Sequence, residues 1–214
     1  MNAVQVRRAA ARDARALASL HLACSAELPD RLENQLGPGY LASYYRAFLS
    51  EPQSLILCSE MDDQRFAGLI SGVDHYSAHL QYMHNRRWRL LAAAIPSLAR
   101  QPHLLKRLRN LQRQPWIAGI DETSANAAHV TFWCWRPHAL PAGGGVVLLQ
   151  AWLAEARLRG ARRAFFDVDI RNHRAIAIHR ILGARIEIQE FPGGSQQCLI
   201  SYELDEAPAD RTFR

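Results

Sequence analysis

Several features that would assign a protein to a class are scarce or missing in this sequence. It has four cysteines in 214 residues, and because none belongs to a C-x-x-C pair we expect free, buried thiols and no metal site. No apolar run reaches the length of a membrane-spanning helix. The first residues lack the basic start, apolar stretch and cleavage site of a signal peptide. These absences predict a cytoplasmic protein.

Positively charged residues outnumber negatively charged ones. Arginine and lysine number 26 against 20 acidic residues, which gives a formal net charge of +6, and Lys106 is the one lysine. Such a surface favours acidic partners: phosphates, an acyl carrier protein, a membrane surface or a nucleic acid. Zinc-finger spacing, an RNP motif and a basic heptad region are all absent, so we expect no nucleic-acid partner. The length and composition fit a single domain over residues 1–214.

Hydrophobic periodicity predicts strands that alternate with helices along most of the chain. Clusters of glycine, proline and polar residues separate these elements. The predicted helices cover residues 13–24, 40–49, 146–159 and 172–182. The predicted strands cover residues 4–6, 54–58, 66–73, 129–135, 164–168, 185–191 and 197–204, the last two as a hairpin.

The middle of the chain is basic and helical, and we predict a helical insertion over residues 75–127. Pro96 is expected to interrupt one of its helices, since an interior proline removes a backbone donor. Three roles stay open for this segment. It could be a solvated helical pair, a wall of a substrate site in which Arg86 and Arg87 bind a phosphate or carboxylate, or a membrane-surface patch around Trp88.

Three consecutive glycines, Gly143, Gly144 and Gly145, come just before the helix predicted at 146–159. Glycine lets backbone amides approach an anion closely, and a helix N-terminus adds partial positive charge, so a pyrophosphate would suit this place. A merely flexible connection between strand and helix is the equal alternative. The spacing matches neither G-x-x-x-x-G-K-[ST] nor G-x-G-x-x-G, which disfavours a nucleotide P-loop and a Rossmann site.

The order of strand, glycine loop, helix, strand and helix between residues 129 and 183 resembles the GCN5-related N-acetyltransferase family. That family carries R-G-x-G-x-G/A in its loop and N-x-x-A-x-x-x-Y-x-x-x-G-F downstream. The matching residues are Gly143, Gly145, Asn172, Ala175 and Gly183. The motifs' Arg, first Gly, Tyr and Phe are replaced here by Leu140, Pro141, His179 and Ala184. The resemblance covers most of the chain outside the basic segment.

The resemblance implies an α/β (α+β) fold: a mixed, mostly antiparallel central sheet of about six or seven strands flanked by helices, with a helical insertion between strands 3 and 4. It implies transfer of an acetyl or other acyl group from acyl-CoA to a primary amine of a small molecule, and an amino sugar is one acceptor that fits. Two alternatives stay open. One is a catalytically weak binding or regulatory protein of this fold, and the other is an acyltransferase that uses an acyl carrier protein as donor. A homodimer is suggested by family analogy alone.

The resemblance also implies roles in proton transfer. His179 would be the acid that protonates the leaving thiolate, and a histidine that is merely packed is the alternative. The family often has a Glu on the strand before the loop, where this chain has Thr131, which cannot serve as a base. His129 is then a candidate base, alongside Asp74, His75 and Asp169 on fold grounds and a chain of waters.

Binding roles follow from the same resemblance. Asn172 would bind the pantetheine arm of the donor or cap its own helix. The residues expected to hold the donor are Trp133, Cys134, Trp135, Ala142, Gly143, Gly144, Gly145, Val146, Asn172 and Ala175. The residues expected to hold the acceptor are Asp74, His75, Arg86 and Arg87.

Overall fold

The computed structural model of the protein describes residues 5–25, 32–60, 66–111, 126–136, 143–190 and 196–204, and for residues 108–111 the backbone alone. The strands are β1 (Gln5–Arg8), β2 (Ser54–Glu60), β3 (Phe66–Val73), β4 (Ala127–Trp135), β5 (Arg163–Asp169), β6 (Arg185–Glu190) and β7 (Gln196–Glu203). The helices are α1 (Ala14–Cys24), α2 (Leu32–Gln35), α3 (Gly37–Leu49), α4 (Tyr76–Asn85), α5 (Arg87–Arg100), α6 (His103–Leu111), α7 (Gly144–Leu158) and α8 (His173–Ile181).

The seven strands form one sheet in the order β1-β2-β3-β4-β5-β7-β6. Neighbouring strands are antiparallel except β4 and β5, which are parallel and are joined through α7. A parallel pair needs such a crossover, because a tight turn can reverse the chain but cannot return it to the same end of the sheet. The fold class predicted from the sequence, a mixed and mostly antiparallel sheet flanked by helices, is confirmed.

Apolar residues cover both faces of the sheet. On one face Trp152 of α7 is fully buried and its indole N–H donates to the Leu55 carbonyl at 3.2 Å. On the other face α1 and α3 bury Leu17, Tyr45 and Phe48 completely. Burying one such side chain stabilises the fold by about 1.5–3 kcal/mol, so the sheet is held from both sides.

Helices α5 and α6 form an outer layer over α2 and α3. Ala94 and Leu104 are buried there against Leu36. The prediction that Pro96 interrupts its helix is wrong, because α5 continues through it to Arg100. An interior proline costs about 3 kcal/mol. Packing on α3 offsets that cost, together with the Ser97 hydroxyl, which donates to the Leu36 carbonyl at 2.8 Å.

Three helices, α4 to α6, thus lie between β3 and β4. Residues 112–125 lie outside the described residues, so the insertion assigned to 75–127 and the single domain over 1–214 stay predictions. The helices in the described ranges all lack the length and apolar character that a membrane crossing needs.

Candidate active site

The parallel strands β4 and β5 separate halfway along their length. Their ladder joins residues 127–130 to residues 163–166. Beyond that point β4 continues to Trp135 along β3, and β5 continues to Asp169 along β7. The two edges that face each other therefore leave a wedge-shaped gap, in which backbone groups have no partner on the opposite strand.

A β-bulge lies where the gap begins. The register between β3 and β4 shifts there, and Thr131 has no partner residue on β3. Its hydroxyl donates to the Ser71 carbonyl at 3.2 Å and lies 2.9 Å from the Ser71 hydroxyl. The extra residue turns Trp133 to the same side of the sheet as Val130, towards α7. Thr131 is thus engaged with Ser71 and gives the site no base.

His179 on α8 is a fully buried histidine that reaches the gap. Its ring packs against Trp133 at a centroid distance of 5.3 Å and against Phe166 at 4.7 Å. Its Nδ1 lies 2.7 Å from the Tyr202 hydroxyl, and among the described residues its Nε2 has no hydrogen-bond partner. Burial lowers the pKa of His179 to about 4, so the imidazole is uncharged at neutral pH.

The Tyr202 hydroxyl sets which imidazole nitrogen carries the hydrogen. Burial raises the pKa of Tyr202, so the phenol keeps its proton, and His179 is the acceptor that the described residues offer it. A neutral imidazole that accepts at Nδ1 carries its hydrogen on Nε2. A buried donor without a partner costs about 1–3 kcal/mol, and a ligand that accepted from Nε2–H would remove that cost.

The first turn of α7 lies beside Trp135, the last residue of β4. Gly143 precedes this helix with a φ of 84°, in the left-handed region that favours glycine. A Cβ added at Gly145 would lie 2.9 Å from the Trp135 ring, so glycine permits the close approach of helix and strand. The Arg174 guanidinium lies 5.4 Å from the centre of the same ring. The first turn of α7 and a cation thus both lie against the Trp135 ring, and the amide donors of a helix N-terminus suit a phosphate group.

The remaining residues predicted to hold the donor differ in their position and burial. Ala142 lies outside the described residues. Gly144 is buried and Val146 is half-buried in the first turn of α7. The side chain of Cys134 is buried on the α1 side of the sheet, so its backbone alone can line the gap. Cys24, Cys58, Cys134 and Cys198 are all free thiols.

Asn172 caps α8. Its Oδ1 accepts from the backbone N–H of Ala175 at 3.1 Å, which satisfies one of the donors that a helix start leaves unpaired. This contact is the second of the two roles considered for Asn172. A direct contact of Asn172 or Ala175 with the donor stays a prediction.

His129 lies on the α1 side of the sheet, opposite the face that carries His179. Its Nε2 lies 2.9 Å from the Asp167 carboxylate, and Asp167 is the first residue of β5 beyond the ladder with β4. His129 is buried, its Nδ1 has no partner among the described residues, and the Tyr76 ring meets it edge-on at 4.4 Å. Asp169, another candidate base, forms a two-bond ion pair with Arg171.

The residues predicted for the acceptor are not brought together. Asp74 pairs with Arg159 at 3.2 Å, near the C-terminal end of α7, about 20 Å along that helix from its glycine turn. His75 is exposed at the start of α4. The Arg86 guanidinium lies 3.5 Å from the centre of the Tyr82 ring, and Arg87 donates to the His84 carbonyl at 3.2 Å. Both guanidinium groups are thus engaged with α4, and their role in acceptor binding stays a prediction.

Sequence reasoning missed Asp167 and Tyr202, the partners of the two histidines. The sequence contained a clue to Asp167, because it is a carboxylate inside an otherwise apolar predicted strand. Tyr202 had a weaker one, the alternation of β7, which turns every second side chain inward. Among the described residues no group of three or more His, Cys, Asp or Glu side chains could hold a metal ion.

Comparison with solved structures identifies this arrangement of strands. No family model matches the sequence, and the search of curated proteins finds no match. A candidate acetyltransferase of Salmonella typhimurium, solved with its cofactor acetyl-CoA, is 15% identical, with a TM-score of 0.60 and coverage of 99% of each chain. An acetyltransferase of the GNAT family from Streptococcus pneumoniae is 16% identical, with a TM-score of 0.58 and coverage of 94% of this chain and 99% of the other. The ribosomal-protein-S18-alanine N-acetyltransferase of Escherichia coli is 12% identical, with a TM-score of 0.57 and coverage of 99% and 100%.

Proposed function

From the premise that the chain has the fold of the GCN5-related N-acetyltransferases, we propose that it is an acyl-CoA-dependent N-acyltransferase. It would move an acetyl or other acyl group to the primary amine of a small molecule. The observation that carries this proposal is the gap between β4 and β5, with a glycine-lined helix N-terminus at one end and an imidazole nitrogen inside it that has no partner among the described residues.

The residues around the gap fit an acyl-CoA molecule. The diverging edge of β4 offers unpaired backbone groups to the amides of a pantetheine arm. The first turn of α7 offers amide donors to a pyrophosphate, and Arg174 offers the cation that the loop lacks at Leu140. Acyl-CoA would supply the activated acyl carbonyl as a thioester. The protein would contribute by holding amine and thioester in line, since this removes most of the entropy cost of a two-molecule reaction.

His179 would act on the leaving sulfur. The C–S bond breaks as the amide bond forms, and negative charge develops on the sulfur as it departs. Because the pKa of His179 is about 4, it holds no extra proton to give at neutral pH. Its Nε2–H would instead donate a hydrogen bond to the sulfur, and the thiolate would take its proton from water.

His129 would accept the proton that the attacking amine loses. Asp167 accepts from Nε2–H, which leaves Nδ1 as the basic nitrogen. That nitrogen is buried and without a partner among the described residues, so a water molecule would carry the proton to it from the amine. The two histidines would then serve the reaction from opposite faces of the sheet.

Release of the free thiol from acetyl-CoA, followed with a thiol reagent over a panel of amines that includes amino sugars, tests the proposal. We expect Asp167→Asn to lower kcat about a hundred-fold, within the usual range for general-base catalysis, and to leave KM for acetyl-CoA unchanged. Glu203→Gln is the matched control, because it removes a carboxylate from an exposed ion pair with Arg163 at the start of β5. Equal losses in both variants would remove the His129–Asp167 pair from the mechanism.

The same assay separates the alternatives. Binding of acetyl-CoA without turnover of any amine would favour a binding or regulatory protein, and turnover with an acyl carrier protein alone would favour that donor. The cytoplasmic location and the homodimer stay predictions.

A further inference from the structure

Positive charge is concentrated in one segment of the chain. Residues 75–120 contain no aspartate or glutamate. The segment's cationic residues are Arg86, Arg87, Arg89, Arg100, Lys106, Arg107, Arg109 and Arg113. It therefore carries more positive charge than the net +6 of the whole chain, and the rest of the chain is slightly acidic. The described part of this segment is α4 to α6, the outer helical layer and its connection to the sheet.

One side of α5 exposes apolar side chains to solvent. Trp88 is 69% exposed and Ile95 is 61% exposed, and Ala92 and Ala99 are exposed between and beyond them. The spacings of four, three and four residues place all four on one stripe of the helix. We call this stripe the α5 outer face.

The α5 outer face is not the side that anchors the helix. Leu90 and Ala94 are buried, and Ala94 packs with Leu104 in the cluster under α5 and α6. On an ideal helix these two residues lie on the side opposite the stripe, at 100° per residue. Helix α5 is therefore apolar on two opposite sides, and only one of these sides packs against the rest of the described structure. Large apolar residues grouped on an exposed surface commonly mark a site of interaction.

Cations border the α5 outer face. Arg89 and Arg100 are both exposed and lie on one flank of the stripe, about 90–110° from it around the helix. On the neighbouring helix α6, Leu105 and Lys106 are exposed as well. A tryptophan and aliphatic side chains edged by basic residues are the pattern of helices that lie in a membrane interface.

We propose that the α5 outer face binds the surface of a bilayer that contains anionic phospholipids. Trp88 and Ile95 enter the boundary between headgroups and acyl chains, and Arg89 and Arg100 contact the phosphates. The stripe is a convex ridge on one helix with two alanines along it, and a bilayer can deform around such a ridge. An acidic protein would need a matching groove. The segment has no carboxylate that would repel an anionic surface, and each cation near such a surface contributes about 1 kcal/mol.

The test is flotation of the full-length protein with vesicles of phosphatidylcholine alone or of phosphatidylcholine mixed with phosphatidylglycerol. We expect binding to the mixed vesicles only, weakened by salt. Replacing both Arg89 and Arg100 by Gln should reduce the partition coefficient about thirty-fold at low salt, from about 1 kcal/mol for each cation. Ile95→Ser should also reduce it. Ile188→Ser is the matched control, since Ile188 on β6 is 62% exposed and lies outside the basic segment.

The depth of Trp88 gives a second readout. Lipids brominated on their acyl chains should quench part of the tryptophan fluorescence of the wild type. This quenching should be absent in Trp88→Phe. Failure to float with the mixed vesicles would overturn the proposal. An acidic protein would then be the favoured partner of the basic surface. Flotation that is equal for the wild type and for the variants at residues 89, 95 and 100 would also overturn it.

Discussion

Acid should destabilise the protein through His179, because the folded chain resists protonation of this buried imidazole. Burial lowers its pKa from the ordinary 6.5 to about 4, so the unfolded chain binds the proton more tightly than the folded chain. The part of the free energy of unfolding that depends on His179 is fully present above about pH 6.5 and is lost as the pH falls towards about 4. The difference in pKa corresponds to about 3 kcal/mol, of which about 2 kcal/mol is already lost at about pH 5.

Urea unfolding of the wild type and of His179→Gln, each measured at neutral pH and at about pH 5, isolates this contribution. The glutamine keeps a polar group for Tyr202 but does not titrate. The variant should be less stable at neutral pH, and the difference between the two proteins should shrink by about 2 kcal/mol at about pH 5. The pKa of His79 is also lowered by burial, and His79 is present in both proteins.

His173→Gln is the matched control, because His173 is exposed on the same helix and keeps its access to water. An equal change with pH in the two variants would show that the effect does not come from the burial of His179. A difference for His179→Gln that does not change with pH would refute the reasoning, since it would mean that His179 is protonated as easily in the folded chain as in the unfolded one. The neutral hydrogen-bond donor proposed for the leaving sulfur would then be lost as well.

Three further changes test other parts of the fold. Gly72→Ala should lower the free energy of unfolding by about 3 kcal/mol, since the added Cβ would lie 2.3 Å from the Trp152 ring; thermal unfolding would measure this. Pro96→Ala should raise the urea midpoint by restoring a backbone donor inside α5, a gain of about 1–2 kcal/mol that an unchanged midpoint would contradict. Arg7→Met should lower the free energy of unfolding at neutral pH by about 1–2 kcal/mol. It should also make this free energy less dependent on acidic pH, because Arg7 holds the pKa of Asp13 below its usual range. An unchanged pH dependence of stability would count against this.

The elements that local pattern specifies were predicted from the sequence. The alternation of β7 and the apolar runs of β2 and β3 predicted strands that the structure contains. The three glycines predicted a loop before the helix at 146–159; Gly143 has a positive φ, whereas Gly144 and Gly145 already belong to α7. These signals depend on a few neighbouring residues, so tertiary contacts do not override them.

One departure from the predictions has a local cause, and the others come from tertiary packing. Helix α3 begins at Gly37, three residues before the predicted start, because Pro38 in the first turn needs no backbone donor. Pro96 is tolerated because α5 packs on α3. The pairs His129–Asp167 and His179–Tyr202 join residues 38 and 23 positions apart, and no local sequence pattern marks residues so far apart as partners.

The central claim is that an acyl-CoA site lies between β4 and β5, with the pyrophosphate at the start of α7. Calorimetric titration tests it most directly. The two ligands compared are acetyl-CoA and S-acetylpantetheine, which lacks the pyrophosphate. We expect saturable binding of acetyl-CoA and weaker binding of S-acetylpantetheine. Arg174→Gln should weaken acetyl-CoA about ten-fold or more, the value of one hydrogen bond to a charged group, and leave S-acetylpantetheine unchanged. Arg157→Gln, which removes the same charge near the other end of α7, should have no such effect. Absence of binding up to millimolar acetyl-CoA, or equal losses in the two variants, would contradict the claim.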